Sequence, residues 1–407
     1  MSTPVYPQAL GRRIAAERHR RGLSQAELAR MIGRSVAWLS QVERGVRRID
    51  RMTVLQTVAR ALDVPLSDLA AEAPVVAAAT SEPAAAAELR LLLSGAHALR
   101  AILNGQPSPD PARLRLGVDT AWDLAHGGRY AELADLLGQL IPDLEIAARA
   151  LPDAQRPAAF ELMAVAYQAC SAALAKLGEP GAAWIAAERA MSAAERAGLP
   201  LLVAAGAFRL VLVFLAARHY GQAEETARTA AEALRPLADD GRPEAMALWG
   251  ALTLQRAVIA ARQNRPDAAY GHLDEARDMA ARGGQWRDHY NTEFGRANVS
   301  LHEISVAVDL GDAGRALRAA AAVDSSGLSP ERRARMLIDV ARAHAQRRQV
   351  DQAVAALRRA DELTPEQVRA HGLVRQIVSD LLTMQNPATG ELRAVAARLG
   401  VTAGGRA

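Results

Sequence analysis

The stretch SQAELARMIGRSVAWLSQVERG, which spans Ser24–Gly45, decides the fold of the N-terminal part of the chain. Ser24 is followed three residues later by Glu27, a capping-box pattern that predicts the start of a helix. Gly33 ends this helix, because a residue free to adopt a positive φ is favoured where the backbone turns. Ser35 then predicts the cap of a second helix. The stretch therefore predicts two short helices joined by a tight turn.

The second of these helices has two different faces. Leu39 and Val42 are spaced to point inward, as Leu28 and Ile32 do on the first helix. Polar and small side chains occupy the other side. The outward-facing set is Arg34, Ser35, Val36, Ala37, Ser40, Gln41 and Arg44. The sequence thus predicts one face that packs and one face that is open to a partner.

The spacing of Gln25, Ala29, Gly33, Leu39 and Val42 resembles the helix-turn-helix of the XRE/Cro-repressor family. In that family a small residue at the Ala29 position lets the two helices pack, and the second helix enters the DNA major groove. The resemblance runs from about residue 10 to residue 69. It implies five short helices in a DNA-binding domain that spans residues 1–69, with helix one at 9–21, helix four at 52–62 and a last short helix ending near 69.

The resemblance also implies how this domain meets double-stranded DNA. Matched position by position, the base-contacting residues are Gln25, Val36, Ala37 and Gln41, since Gln can bond adenine and small apolar side chains can contact thymine methyl groups. The arginines of the outward face and of the basic loop that follows it are better suited to phosphates, which position a protein without reading sequence. These are Arg34, Arg44, Arg47 and Arg48, and Ser35 and Ser40 complete the set assigned to DNA binding. The alternative is an ordinary solvated helix face.

Two further residues of the domain have a structural interpretation. In XRE domains an arginine on helix one and the glutamate after the recognition helix form an internal ion pair, and Arg18 and Glu43 stand at those positions. Such a pair leaves neither residue free to touch bases. Trp38 keeps two interpretations, because it can press on the sugar-phosphate edge or pack against helix four.

The charge of the chain is unevenly distributed. Residues 1–62 carry twelve arginines and four carboxylates, a net +8, so the remaining residues carry −4 of the total +4. A basic head on an acidic remainder is the asymmetry expected of a nucleic-acid-binding module. The head is therefore the part that we expect to contact DNA.

The composition bounds the class of protein. Hydrophobic residues make up 50% of the 407 residues but aromatics only 4%, and this alanine-rich content favours packed helices over sheets. The sequence has no run of about 18 apolar residues and no signal-peptide pattern, which predicts a soluble, cytoplasmic protein that does not contact membranes. Cys170 is the single cysteine, so no intramolecular disulfide forms, and its apolar surroundings predict a small buried residue.

After residue 69 the chain changes character twice. Residues 70–87 contain two prolines and small side chains, which predicts a linker. Residues 88–385 are a series of alanine-rich amphipathic segments with six similar breaks. The breaks are GGRYAEL from Gly127, LGEPGAA from Leu177, RHYGQAE from Arg218, QNRPDAA from Gln263, LGDAGRA from Leu310 and RRQVDQA from Arg347. Residues 386–407 predict one short helix, 391–399, and a frayed tail.

The six breaks predict a helical solenoid. The alanines that follow them (Ala183, Ala223, Ala269, Ala316 and Ala353) lie 40, 46, 47 and 37 residues apart, within the range of solenoid repeats. The breaks resemble the turn inside a tetratricopeptide repeat, although the intervals exceed that family's 34-residue period. The fold class is therefore all-α, with a five-helix head followed by an α-solenoid of about six TPR-like helix pairs from 111 to 383.

One stripe of the predicted solenoid is a candidate ligand site. Asn291, Phe294, Asn298 and His302 are separated by three or four residues and so share a helical face. The segment 285–312 resembles a pattern in actinobacterial XRE/TPR-like regulators. By resemblance to the peptide-sensing Gram-positive TPR regulators, such asparagines bond the main chain of a bound peptide. The alternative is that Asn298 and His302 bond neighbouring turns and hold the solenoid together.

Enzyme motifs are absent from the sequence: it has no phosphate loop, no GxSxG, no CxxC and no HExxH, and its nine histidines are scattered. No cofactor and no metal is expected. The sequence predicts a homodimeric transcription regulator that binds a palindromic operator and responds to a peptide or small-molecule effector in the solenoid. In such a dimer the recognition helices sit about 34–36 Å apart. The alternative is an interaction scaffold whose helix-turn-helix head only localises it on DNA.

Overall fold

A computed structural model describes residues 6–47, 49, 52–64, 69, 83–96, 103, 109–282, 288–385 and 387–401. Every regular element within these ranges is helical, as the alanine-rich, aromatic-poor composition predicts. The fifth helix of the head, the linker up to residue 82 and the last six residues of the predicted tail lie outside the described residues.

The N-terminal head contains four described helices, α1 (Tyr6–Arg20), α2 (Gln25–Met31), α3 (Val36–Glu43) and α4 (Met52–Ala61). The predicted capping box is confirmed, because the Ser24 hydroxyl accepts from the Glu27 backbone N–H while Glu27 accepts from the Ser24 N–H. Gly33 has φ +63°, which is the left-handed backbone predicted for the turn. Ser35 caps α3 by accepting from the Trp38 N–H. The helix-turn-helix of the sequence prediction is thus present.

A second helical body follows. It consists of α5 (Ala84–Leu92), α6 (Pro111–Gly127), α7 (Tyr130–Ala150), α8 (Arg156–Lys176), α9 (Pro180–Ala197), α10 (Pro200–Ala216), α11 (Tyr220–Asp239), α12 (Pro243–Arg262), α13 (Pro266–Arg282), α14 (Arg296–Leu310), α15 (Ala313–Ala322), α16 (Pro330–Gln346), α17 (Val350–Leu363), α18 (Pro365–Ala370), α19 (Gly372–Met384) and α20 (Gly390–Arg398), with a 3-10 turn at His289–Asn291. α5 begins within the predicted linker, because Ala85 and Ala86 are buried in the body's core.

All six predicted breaks are turns between paired helices, from α6–α7 to α16–α17. Each turn has one residue with positive φ, and the next residue donates its N–H to the carbonyl five positions back, at 2.8–3.0 Å. This is a Schellman ending, which satisfies the last carbonyls of the first helix. The positive-φ residues are Gly128, Gly178, Arg218, Asn264, Gly311 and Arg348. The same turn is therefore built six times.

Small residues let the paired helices approach closely. The alanine five positions after each turn residue is fully buried in five of the pairs, and Leu133 takes that place in the first pair. These are the five alanines whose intervals suggested a repeat. Burial of small side chains in this register allows the second helix of each pair to pack onto the first and onto the next repeat. The α-solenoid architecture of the prediction is confirmed.

The helical array curves until its beginning meets its later helices. The Ala131 backbone N–H donates to Glu366 Oε2 at 3.0 Å, across 235 positions of sequence. Lys176 pairs with Glu331, and His126 Nε2 lies 3.9 Å from Glu293 Oε2. These contacts join α7 to α18, α8 to α16, and α6 to the turn that precedes α14. The first helices of successive pairs therefore line a central space.

One helix of the described residues, α8, is long and apolar enough to cross a membrane by composition alone. In the folded chain 72% of its most apolar window is buried. Cys170 lies on this helix and is fully buried, as predicted, and burial raises the pKa of its thiol to about 12. α8 is thus a buried helix in the hydrophobic core formed by the first helices of the body.

Candidate DNA-binding face and its contact with the helical body

An internal ion pair fixes the helix-turn-helix. Arg18 Nε lies 2.6 Å from Glu43 Oε1 and a second guanidinium nitrogen lies 3.0 Å from Oε2, with both side chains buried. Gln25 also donates to Glu43 Oε2, at 2.7 Å. The predicted Arg18–Glu43 pair is confirmed, and it engages one of the residues assigned to DNA contact.

The end of the recognition helix touches the body instead of solvent. Gln41 Nε2 donates to the Gly311 carbonyl at 2.6 Å, and Arg47 donates to the Asp309 carbonyl at 2.8 Å. Gln41 Oε1 is buried in this contact and has no donor within the described residues. The two side chains best suited to a base and a phosphate are therefore bonded to the main chain of α14 and its turn.

Two neighbouring turns contact the head as well. Asn264 Nδ2 donates to the Gly33 carbonyl at 3.1 Å, and an Arg348 guanidinium nitrogen lies 3.5 Å from the Arg44 carbonyl. Asn264, Gly311 and Arg348 are the positive-φ residues of three consecutive repeat turns. The head thus lies along the row of turns where the first helix of each pair ends.

The electrostatics of this row suit a basic head. The last carbonyls of a helix lack intrahelical partners and carry partial negative charge. Asp309 lies in the last turn of α14, and its carbonyl receives the Arg47 guanidinium. Arg47, from a head with net charge +8 over residues 1–62, thus meets the negative end of a helix dipole on a body that is acidic. DNA phosphates and this row of carbonyls attract the same donors.

The remaining residues assigned to DNA have varied surroundings. Val36, Ala37 and Arg44 are exposed, Ser40 is partly exposed, and Ser35 is the cap of α3. Arg34 stacks 5.3 Å from the centroid of the Trp38 ring, and this ring is buried on the side of the head that faces the body. Arg48 lies outside the described residues. The first turn of the recognition helix is thus open and its last turn is covered.

Head and body together line a partly open cavity of about 680 Å³. The head lines it with Arg34, Trp38, Arg47, Ile49 and Val54. The body contributes one side of α8, α10, α12, α14 and α16, including Leu212, Leu215 and Ile338 as apolar wall. Its volume falls within the range of small-molecule sites. The wall of the cavity therefore contains side chains of both domains.

The cavity wall is strongly cationic. It contains nine arginine or lysine side chains against four carboxylates. All four carboxylates are paired: Glu293 with Arg332, Glu331 with Lys176, Asp339 with Arg342, and Asp309 with both Arg262 and Arg342. Burial opposes ionisation of Asp309, but the two arginines hold the pKa of this carboxyl below its usual range. The surplus charge of the wall is therefore positive.

The pKa values of two groups in the cavity wall are lowered. Burial lowers the pKa of Lys176 to about 8 although Glu331 opposes it, and Arg335 and Arg332 lower it further. Burial lowers the pKa of His371 to about 3, assisted by Lys176, Arg335, Arg342 and Arg262. Burial is the larger cause of both shifts, and the surrounding cationic side chains add to it. The same cationic side chains would attract an anion.

The predicted ligand stripe is mostly engaged in the body's own packing. Asn298 is buried and donates to the Thr292 and Glu293 carbonyls at 3.3 and 3.0 Å. His302 Nδ1 lies 2.8 Å from the Asn298 carbonyl, and Nε2 lies 3.2 Å from Gln255 Nε2. Phe294 packs on Gly250, where a Cβ would lie 2.1 Å from its ring. Of the four residues Asn291 alone lines the cavity, so the assignment of the other three to a ligand stays a prediction.

Among the described residues no group of three histidine, cysteine or acidic side chains is arranged to hold a metal ion. The chemically distinctive features of the molecule are therefore the helix-turn-helix, its contact with the body and the cationic cavity between them. Sequence reasoning found the first. The cavity arginines carried no recognisable spacing, because they come from α10, α12, α16 and several turns that are far apart in the chain.

Comparison with known protein families supports the helix-turn-helix assignment of the head. A family model described as a helix-turn-helix domain matches residues 9–72. Neither a curated protein nor a solved structure matches the chain. The head is accordingly a helix-turn-helix domain, a type of domain that binds DNA. The match ends at residue 72 and does not extend into the helical body.

Proposed function

We propose that this chain is a cytoplasmic, sequence-specific transcription regulator whose head is held by its TPR-like helical body when DNA is absent. The observation that supports the proposal is that Gln41 and Arg47 donate hydrogen bonds to the body's carbonyls. A base edge or a phosphate needs those same donors. Docking of the head and insertion of the recognition helix into the major groove are then mutually exclusive.

Regulation follows from this exclusion. A chain with a docked and a released head is a two-state system, and a ligand shifts it only by its difference in affinity for the two states. A peptide, small molecule or partner at the body that favours release raises DNA affinity, and one that favours docking lowers it. Released heads of a homodimer then occupy two half-sites of a palindromic operator, about 34–36 Å apart.

The regulator and the scaffold alternative differ in whether the chain prefers a particular DNA sequence. The test is selection of duplexes from a random pool with the full chain, followed by affinity measurements on selected and random duplexes at physiological salt. We expect the selected duplexes to share a two-fold symmetric motif and to bind at least about 10³ times more tightly than random DNA. Equal affinity for both would favour a head that only localises the body.

A further inference from the structure

We propose that the cavity between head and body is a binding site for an organic anion, an apolar body with one carboxylate, phosphate or sulfonate group, and that this anion holds the head docked. This inference rests on the proposed function, and it specifies the chemical class of the effector that regulates docking of the head. Its geometric basis is a pair of arginines in the cavity wall, Arg209 buried and Arg335 half-buried, that form no ion pair within the described residues.

Arg335 is the first of these. It lines the cavity from the middle of α16, and within the described part of the chain it makes no hydrogen bond and no ion pair. Burial lowers the pKa of its guanidinium, and Arg332 opposes its charge, although Asp339 and Glu331 support it. A half-buried guanidinium has lost part of its hydration, and proteins rarely leave such a cation without a nearby anion. An anionic ligand would supply the partner.

Arg209 is the second. Only 4% of it is exposed, and its guanidinium reaches the carbonyls of Tyr290 and Asn291 at 3.0 and 2.7 Å. Its buried Nε has no acceptor in the described residues, and no carboxylate lies within ion-pair distance. Burial lowers its pKa to about 9, and Arg332 adds to this effect. A guanidinium with a spare buried N–H is suited to an oxyanion, which accepts charge-assisted hydrogen bonds.

The remainder of the wall suits an apolar body. Leu212, Leu215, Ile338 and the ring of Trp122 line the same cavity, and the head adds Trp38. The mixture of apolar surface and a few fixed polar groups is the usual character of a small-molecule site. A small inorganic anion would make no contact with most of this apolar surface. The site therefore fits an anion that carries apolar atoms.

The direction of the effect follows from which domains line the cavity. Arg34, Trp38 and Arg47 face the occupant only while the head is docked. A ligand that gains contacts in the docked state must stabilise that state. By linkage, the anion weakens DNA binding by the same factor by which DNA weakens anion binding. The anion is thus a negative effector.

The test uses two fluorescent probes with nearly the same apolar body. 8-Anilinonaphthalene-1-sulfonate carries the anion, and N-phenyl-1-naphthylamine is its uncharged counterpart. Titration of the full chain should show the sulfonate binding at least about tenfold more tightly than the neutral probe, since one desolvated charge-assisted hydrogen bond contributes that much. Equal affinity of the two probes would overturn the proposal.

Variants locate the site. Arg335→Gln removes a guanidinium that makes no hydrogen bond or ion pair within the described residues, so the fold should be retained. The affinity for the sulfonate should fall about tenfold or more, while the affinity for the neutral probe stays constant. Arg333→Gln is the matched control, because Arg333 stands two residues away on the same helix outside the cavity wall. Equal sulfonate affinity in both variants would contradict the assignment. Arg209→Gln provides a second variant, checked for folding by thermal melting because Arg209 also holds two carbonyls.

A third measurement separates this inference from the proposed function. Saturating sulfonate should lower the DNA affinity of the wild-type chain and leave that of Arg335→Gln unchanged. If a variant that loosens the head contact raises DNA affinity but the sulfonate has no effect on the wild type, the anion site is wrong and the docked-head regulation stands. If loosening the head has no effect on DNA affinity, the proposed function itself fails.

Discussion

The side-chain amide of Gln41 donates a 2.6 Å hydrogen bond to the carbonyl of Gly311, a residue 270 positions away in the chain. The fit is close. A Cβ at position 311 would lie 3.0 Å from Gln41 Oε1 and 3.1 Å from an Arg47 guanidinium nitrogen, and Gly311 has φ +89°. The turn therefore needs glycine both for its backbone and for the side chains of the head. A residue that the sequence assigns to base reading is thus held by a repeat turn.

Gln41→Ala should lower sequence preference. The variant loses a donor and an acceptor for a base edge, so its affinity for the selected duplex should fall by about 1–3 kcal/mol while affinity for random DNA stays the same or rises, because a docking bond is also lost. Arg47→Ala should instead weaken all sequences alike and reduce the salt slope by about one. Competition binding on both duplexes measures the ratio. A parallel loss on both for Gln41→Ala would remove it from the base readers.

Arg18→Ala should destabilise the head. The change leaves Glu43 buried with Gln25 as its remaining polar partner, and breaking a buried pair from one side costs about 3–5 kcal/mol. Arg20→Ala is the control, because Arg20 is 71% exposed and its pair with Glu17 lies on the surface. Thermal melting of both variants gives the comparison. Similar melting temperatures for the two would show that the Arg18–Glu43 pair does not hold the helices.

Asn298→Ala should destabilise the body. Its amide satisfies the Thr292 and Glu293 carbonyls in a turn where Glu293 has a positive φ of +51°. Leaving buried acceptors unpaired costs about 1–3 kcal/mol. Denaturant unfolding measures the loss, and Ser300→Ala, on the exposed side of the same helix, serves as control. A variant as stable as the wild type that no longer responds to an effector would instead support the ligand role assigned to Asn298 from sequence.

Lowering the pH should decrease the free energy of unfolding at pH values above those at which the carboxylates titrate. Burial, followed by Arg335 and Arg332, lowers the pKa of His302 to about 3, so its unfolded form gains a proton below about pH 6.5 while the folded form stays neutral. Stability is therefore complete above pH 6.5 and falls as the pH drops towards 3, by about 2 kcal/mol for this histidine at pH 5. His302→Gln should show a shallower loss between pH 7 and 5 in denaturant titrations. An unchanged slope would mean that His302 is not the group that titrates.

Much of this architecture could be predicted from sequence, because its determinants are local. The Ser24–Glu27 capping box, the left-handed turn at Gly33 and the six repeat turns depend on residues within a few positions of each other. The resemblance of the head supplied the Arg18–Glu43 pair. These features are present as predicted.

The contact between head and body could not be predicted in the same way. Gln41 and Arg47 bond to carbonyl oxygens, and main-chain acceptors leave no signature in the residue types that carry them. Arg209 and Arg335 of the cavity wall lie on different helices, 126 positions apart in the chain, so no sequence motif joins them. Periodicity placed Asn298 and His302 on one stripe. It could not tell whether that stripe faces the cavity or the adjoining turn.

The measurement that tests the account most directly is the DNA affinity of the full chain with Asn264→Gly. This change removes the bond from Asn264 Nδ2 to the Gly33 carbonyl, keeps a residue suited to φ +61°, and leaves every residue assigned to DNA unaltered. Gln263→Ala is the matched control, since it removes a side-chain amide from the neighbouring position of the same turn, where the described residues show no side-chain hydrogen bond to the head. We expect Asn264→Gly to bind the selected duplex about two- to tenfold more tightly than wild type, as loss of one docking bond allows, with Gln263→Ala unchanged. Affinity equal to or weaker than that of the wild type in Asn264→Gly would contradict the claim that the body restrains the head.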